Sequence, residues 1–249
     1  MSDFNGRFGT PSIPARADMS VDAGLRAFML GVYGKMGLGL LVSAALAWCA
    51  ASVPALRDAL FTVTSGGRIG LTGIGLVVTF APLAVMLYAM FAMRNPTAQG
   101  SSAIYWILVS LFGLSLGTIF LTYSIPTLFQ TFLITASGFG VLSLIGYTTK
   151  RDLTAFGAFL IMGLWGLIIA SVVNVFFHSS QASFLISIFG VLIFAGLTAY
   201  DTQKLKMVYY QIEGDRNALG VMTSWGALNL YLDFLNLFLF LLRIFGNRR

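Results

Sequence analysis

Leu230-Tyr-Leu-Asp233-Phe-Leu-Asn236 sets a carboxylate in the middle of a long run of mainly apolar residues. An ionised Asp at the centre of a bilayer costs at least ~2.5–3.5 kcal/mol, so such a side chain faces a bundle interior or a water-filled path and keeps a partner. On a helix, Asn229, Asp233, Asn236 and Arg243 fall within about 80° of one face at 100° per residue. That face cannot point at lipid. A second acid stands against an apolar run in Gly196-Leu-Thr-Ala-Tyr-Asp201-Thr-Gln-Lys204. With only nine acids in the chain, two so placed point to a shared site. Taken alone, Asp201 has a second reading, a solvated acid at a helix end ahead of Lys204 and Lys206.

Composition sets the class. The 249 residues are 57% hydrophobic and 10% charged, with a mean hydropathy of +0.86. Soluble domains carry roughly 25% charged residues, so the expectation is an all-α integral membrane protein whose first partner is the lipid bilayer. Its net charge of +6 belongs to loop orientation and not to nucleic acid. Cys49 is the only cysteine, which rules out an internal disulfide and a thiolate zinc cluster. His178 is the only histidine and falls in a short loop. Proton sensing near neutrality is therefore left to carboxylates.

Along the chain, residues 1–24 are polar and lack an apolar segment followed by a cleavage site, and are expected to be a mobile tail. Residues 25–249 form the membrane domain. Apolar runs are expected to span at about Ala27–Val53, Ile69–Met93, Ser101–Tyr123, Thr127–Tyr147, Leu153–Phe177, Ala182–Tyr200 and Val221–Phe245, each of a length to cross a ~30 Å core. Pro54–Arg68 is expected to be a loop. Lys35, inside the first run, reads as a snorkelling side chain or a buried partner. Gly113-Leu-Ser-Leu-Gly117 permits close helix contact and reads as packing.

Lysine and arginine placement orients the bundle. With the N-terminus cytoplasmic, the inner side holds Arg7, Arg16, Arg26, Arg94, Lys150, Arg151, Lys204, Lys206 and Arg216; the outer side holds Arg57, Arg68, Arg243, Arg248 and Arg249. The rule favours this orientation, and the C-terminal arginines leave a re-entrant last segment as the lesser topology. On the favoured one, Arg94 is available to Asp201, or serves as an anchor at the inner surface.

These residues carry a resemblance. Gly196-Leu-Thr-Ala-Tyr-Asp201-Thr-Gln-Lys204 and Ala227-Leu-Asn-Leu-Tyr-Leu-Asp233-Phe-Leu-Asn236-Leu-Phe238, continuing through Arg243 to Gly246, resemble the bacterial branch of the Bax inhibitor-1, or transmembrane Bax inhibitor motif, family. Ala92-Met-Arg94 and Lys150-Arg151-Asp152 add to it. The likeness implies a seven-helix bundle with the last helix central, surrounded by the other six, in a bacterial inner membrane. It implies a pH-sensitive calcium leak in which Asp201 and Asp233 sense protons and Arg94 latches to them, with Asn229, Asn236 and Arg243 as a supporting polar stripe. Calcium would be the transported ion, weakly held by Asp201 and Asp233, with no cofactor. One departure stands out: an acid within the second helix of some bacterial relatives is missing, because Ile69–Met93 holds no Asp or Glu.

Two other classes are open. Paired intramembrane aspartates, one after a tyrosine, also resemble an aspartyl protease of the membrane, but that class needs Gly-x-Gly-Asp in the next helix and Asp233 follows Leu230-Tyr-Leu. The expectation is therefore no enzyme. Some bacterial members resemble modulators of a membrane-bound quality-control protease, for which the segment before Leu25 would be the docking tail.

Overall fold

The structure is a computed structural model that describes residues 22–63, 69–92 and 95–246. Arg94 and most of the expected N-terminal tail lie outside these residues, as do Arg248 and Arg249. Helix α1 (Ala23–Ser52) starts where the Asp22 carboxylate accepts the Leu25 N–H at 2.9 Å. Pro54–Arg68 is not simply a loop. It opens with a short helix, α2 (Pro54–Leu60), and strand β1 (Phe61–Val63) follows, pairing antiparallel with β2 (Ile69–Leu71) in the register Phe61↔Leu71. Then come α3 (Gly73–Ala92), α4 (Ala98–Ser115), the short α5 (Gly117–Thr122), α6 (Ile125–Thr148), α7 (Thr154–Phe177), α8 (Ser180–Ile212) and α9 (Arg216–Phe245). With α4 and α5 joined, seven segments among the described residues have the length and apolarity to cross a membrane.

The last helix is the axis. α9 packs against α1, α4, α6 and α8, while α3 rests mainly on α4 and α7 on α8. The packing differs from a ring of six: four helices sheathe α9 and two lie outside. The core joins Leu228, Tyr231 and Phe234 of α9 to Val32 of α1, Tyr105 and Leu108 of α4, and Phe139 of α6. Outer faces such as Leu83, Tyr88 and Phe91 of α3 and Phe159, Trp165 and Phe176 of α7 are exposed and apolar, as contact with lipid requires. α9 is unbroken over 30 residues, about 45 Å at 1.5 Å per residue, long and apolar enough to cross a bilayer.

Where α4 and α5 press on α1, side chains are missing. A Cβ at Gly113 would lie 2.8 Å from Ser43 Cα, and one at Gly117 2.9 Å from Ala50 Cβ, so the 113–117 pair presses the α4–α5 span onto α1. The packing reading of that motif holds.

Candidate functional site

Helix α8 does not stop at Tyr200. It continues to Ile212, so Asp201 lies inside a helix and the helix-end reading fails. One face of this extension is buried through Thr198, Thr202, Leu205 and Tyr209. The other turns Leu197, Tyr200, Asp201 and Lys204 toward a cleft of about 570 Å³ between α7, α8 and α9. From α9 the same cleft receives Asn229, Asp233 and Asn236. Both rows follow the i, i+3, i+4, i+7 spacing of one helix face.

The two acids meet there. Their carboxyl groups lie within side-chain hydrogen-bonding reach of each other across α8 and α9. Asp233 is only 5% exposed, and its buried Oδ2 has no hydrogen-bond partner among the described residues. Asp201 is half-buried. Lys204 lines the cleft beside them and acts electrostatically on Asp201; its Nζ stands 5.8 Å over the Tyr200 ring. Asn236 donates Nδ2–H to Leu232 O at 2.8 Å. Arg243, the last member of the sequence stripe, is exposed and stacks its guanidinium 5.5 Å over Phe240. The structure thus gathers Asp201, Asp233, Asn229 and Asn236, leaves Arg243 outside the cleft, and does not describe Arg94. The segment after Arg94 is tied to α9, because Asn217 Nδ2 donates to Pro96 O at 3.2 Å and Ala98 N donates to Asn217 Oδ1 at 3.0 Å.

Three residues of the interior carry roles beyond the sequence reading. Gln203 is fully buried and grips the α6–α7 connection, accepting from Leu153 N and donating to Arg151 O, both at 2.8 Å. Lys206, counted above with the inner loops, is buried: its Nζ donates to Tyr147 O at 2.8 Å and lies 5.0 Å from that ring's centre. Lys35 is half-buried and acts as a partner to neighbouring helices, donating to Ser102 and Ser224 Oγ at 2.8 Å each and lying 5.2 Å from the Tyr105 ring centre. Asp152 shows what an acid outside the bundle does: the Thr154 hydroxyl and N–H donate to it at 2.6 and 2.8 Å and hold its carboxyl below the usual range.

No three His, Cys, Asp or Glu side chains gather into a metal-binding group among the described residues. A cleft with two facing acids, two amides and a nearby cation is suited to taking up a proton or a loosely held cation.

The chain is 57% identical, over the full length of both, to an uncharacterised protein of Caulobacter vibrioides. It is 45% identical over 228 residues to the inner membrane protein YbhL of Escherichia coli, covering 91% of this chain and 94% of that one. Similarity to an uncharacterised protein of Rickettsia prowazekii is 42% over 92% of each chain. Residues 25–249 match the family model described as inhibitor of apoptosis-promoting Bax1. That match takes in all but the first two residues of the described spans and both facing acids, and with it the protein is placed as a multi-pass inner-membrane member of the Bax inhibitor-1 family.

Proposed function

We propose that this protein is a pH-sensitive calcium leak channel in which Asp201 and Asp233 form the proton-responsive gate. The observation that carries the reading is the apposition of the two carboxyl groups in the α7–α8–α9 cleft. A hydrogen bond between carboxyl groups needs a proton on one of them, since a carboxylate offers no donor. Two acids at that separation titrate as a unit. Losing the shared proton replaces an attraction across α8 and α9 with repulsion, and these two helices form the most extensive contact in the bundle. A displacement there biases a closed state toward an open one.

Calcium fits as cargo more than as a resident ion. It takes six to eight oxygen ligands, and Asp201, Asp233, Asn229 and Asn236 supply only part of such a shell, so water fills the rest and the ion is held weakly. Lys204 opposes cation entry electrostatically while it faces Asp201. Arg94 is proposed as the latch, acting from the connection whose next residues are fastened to Asn217. The reading is of a transport protein and not an enzyme.

The test is calcium flux into dye-loaded liposomes stepped across neutrality, from about pH 6 to 8. Wild type should show flux that changes with pH, Asp201→Asn and Asp233→Asn flux that does not, and Arg94→Ala a looser closed state. Equal pH dependence in both Asn variants overturns the gate. No flux above empty liposomes at any pH overturns the channel and favours a protein that modulates a membrane-bound protease. Cleavage of a model transmembrane peptide, lost in both Asn variants, would instead assign an aspartyl dyad.

A further inference from the structure

On the side of α9 away from the acidic cleft, α1 and α6 stand apart and leave a groove of about 580 Å³, in the size range of single-ligand sites. Phe139 and Phe234 form its floor. Its width comes from two absent side chains, Gly37 on one wall and Gly140 on the other, with no atom within 4 Å of where either Cβ would stand. It runs from Arg26 and Tyr147 at one end to Leu40 and Phe132 at the other, about 21 Å along α1 at 1.5 Å per residue, the length of an ordinary acyl chain.

Midway along, the Tyr33 hydroxyl is taken up by Thr202; the charged group and the unpartnered hydroxyl stand toward one end. Arg26 is exposed at the mouth and forms no ion pair among the described residues. Asp22, one turn away, caps α1. One turn inside the mouth from Tyr147, Ser143 lines the groove, is 6% exposed, and its buried hydroxyl has no hydrogen-bond partner among the described residues. A buried hydroxyl without a partner is costly. A cation at the membrane surface, a hydroxyl one turn deeper and an apolar slot beyond them match, in order, a phosphate, a glycerol ester and an acyl chain.

We propose that the α1–α6 groove is a binding site for one anionic phospholipid of the bilayer. The phosphate pairs with Arg26, the Ser143 hydroxyl turns from its enclosed position to donate to the ester oxygen, and one chain lies between Gly37 and Gly140. The orientation set by basic residues puts Arg26 at the inner surface, where anionic lipids concentrate. The site stands apart from the transport reading and needs no flux to be tested, although its floor reaches the gate: Tyr33 lines the groove and its hydroxyl meets Thr202 Oγ1 at 3.2 Å, one residue from Asp201.

The experiment is native mass spectrometry of the delipidated full chain after exchange into nanodiscs of phosphatidylcholine alone or mixed with phosphatidylglycerol. Wild type should retain one phosphatidylglycerol per chain in preference to phosphatidylcholine. Gly140→Leu and Gly37→Leu, which fill the slot and raise helix propensity, should lower that adduct about tenfold. Arg26→Gln should keep an adduct and lose the headgroup preference. Gly138→Leu, on the same helix with open space at its Cβ but outside the groove, should behave as wild type. Thermal unfolding in the same detergent verifies that each variant is folded, and Arg26→Gln decides the matter if a glycine variant is not. Equal retention in Gly140→Leu and wild type overturns the site. So does a dimer lost in Gly140→Leu, which assigns the groove to a second copy, or an adduct seen only after residues 2–20 are removed, which assigns it to the N-terminal segment.

Discussion

Polar groups enter the bundle on two opposite faces of α9, and each face treats them differently. Toward α1 and α4, Ser43 donates to Val109 O at 2.8 Å and accepts from the Tyr231 hydroxyl at 2.7 Å. Tyr105 donates to Lys35 O at 2.8 Å, and Lys35 in turn satisfies Ser102 and Ser224. Toward α7 and α8, Asp233 keeps a buried oxygen with no hydrogen-bond partner among the described residues, and its neighbours open onto a cleft. At 100° per residue, Ser224 and Tyr231 project about 180° and 160° from Asp233. On the first face Ser43, Tyr231, Tyr105, Lys35, Ser102 and Ser224 close their hydrogen bonds among neutral groups and one cation and so fix three helices to one another, although Ser101 nearby keeps a buried hydroxyl without a partner among the described residues. The second faces two like acids across an interface and keeps capacity for a proton or an ion. Within one apolar bundle, a saturated polar network is structural, and an unsaturated acidic pair is where chemistry remains to be done.

That contrast breaks most visibly at the α1–α4 crossing. Gly113→Leu drives a side chain into the Ser43 backbone and should cost about 3 kcal/mol, at the upper end of overpacking, read as a large fall in Tm in detergent. Unchanged stability would mean that the two helices do not approach as closely as described. Ser43→Ala comes next. It leaves the Tyr231 hydroxyl without a partner and removes the bond that ties α1 to Val109 O, and should cost about 2 kcal/mol, while the pH response of calcium flux persists. Loss of that response with the fold intact would join the two faces into one functional unit.

Much of this division is legible in residue spacing. The spans follow from apolar runs long enough to cross a bilayer, and the Asn229–Asp233–Asn236 stripe follows from helical periodicity alone. The length of α8 was harder to read, because Asp201, Lys204 and Lys206 resemble a helix end. Charge excludes a residue from lipid and not from a helix, and the buried repeat Thr198, Thr202, Leu205, Tyr209 carries the helix onward. The α2 helix and the β1–β2 pair are too short for periodicity to mark. Lys35 and Gln203 draw their meaning from Ser102, Ser224 and the 151–153 backbone, contacts between distant segments that no local pattern encodes. Lys204 was visible only as a basic residue, and its place beside Asp201 depends on where α7 and α9 leave room.

Smaller effects sharpen the contrast. Tyr231→Phe removes a donor while Ser43 keeps Val109 O, so it should cost about 1 kcal/mol, less than Ser43→Ala. A loss equal to that of Ser43→Ala would show that the hydroxyl network acts as one cooperative unit.

Asp233→Asn should change stability least and function most. Among the described residues its Oδ2 has no hydrogen bond to lose, and an Asn side chain still offers an N–H to Asp201. The change in unfolding free energy should therefore stay under about 0.5 kcal/mol, since no net hydrogen bond is given up. The pH dependence of flux should disappear, because the remaining acid has no second carboxyl with which to share a proton. A variant that loses both stability and pH response would mean that the pair holds α8 to α9 as Ser43 and Tyr231 hold α1 to α9, and the acidic face would then be a structural network like its opposite. Intact stability with a flat pH profile leaves the two faces distinct and assigns proton sensing to the pair.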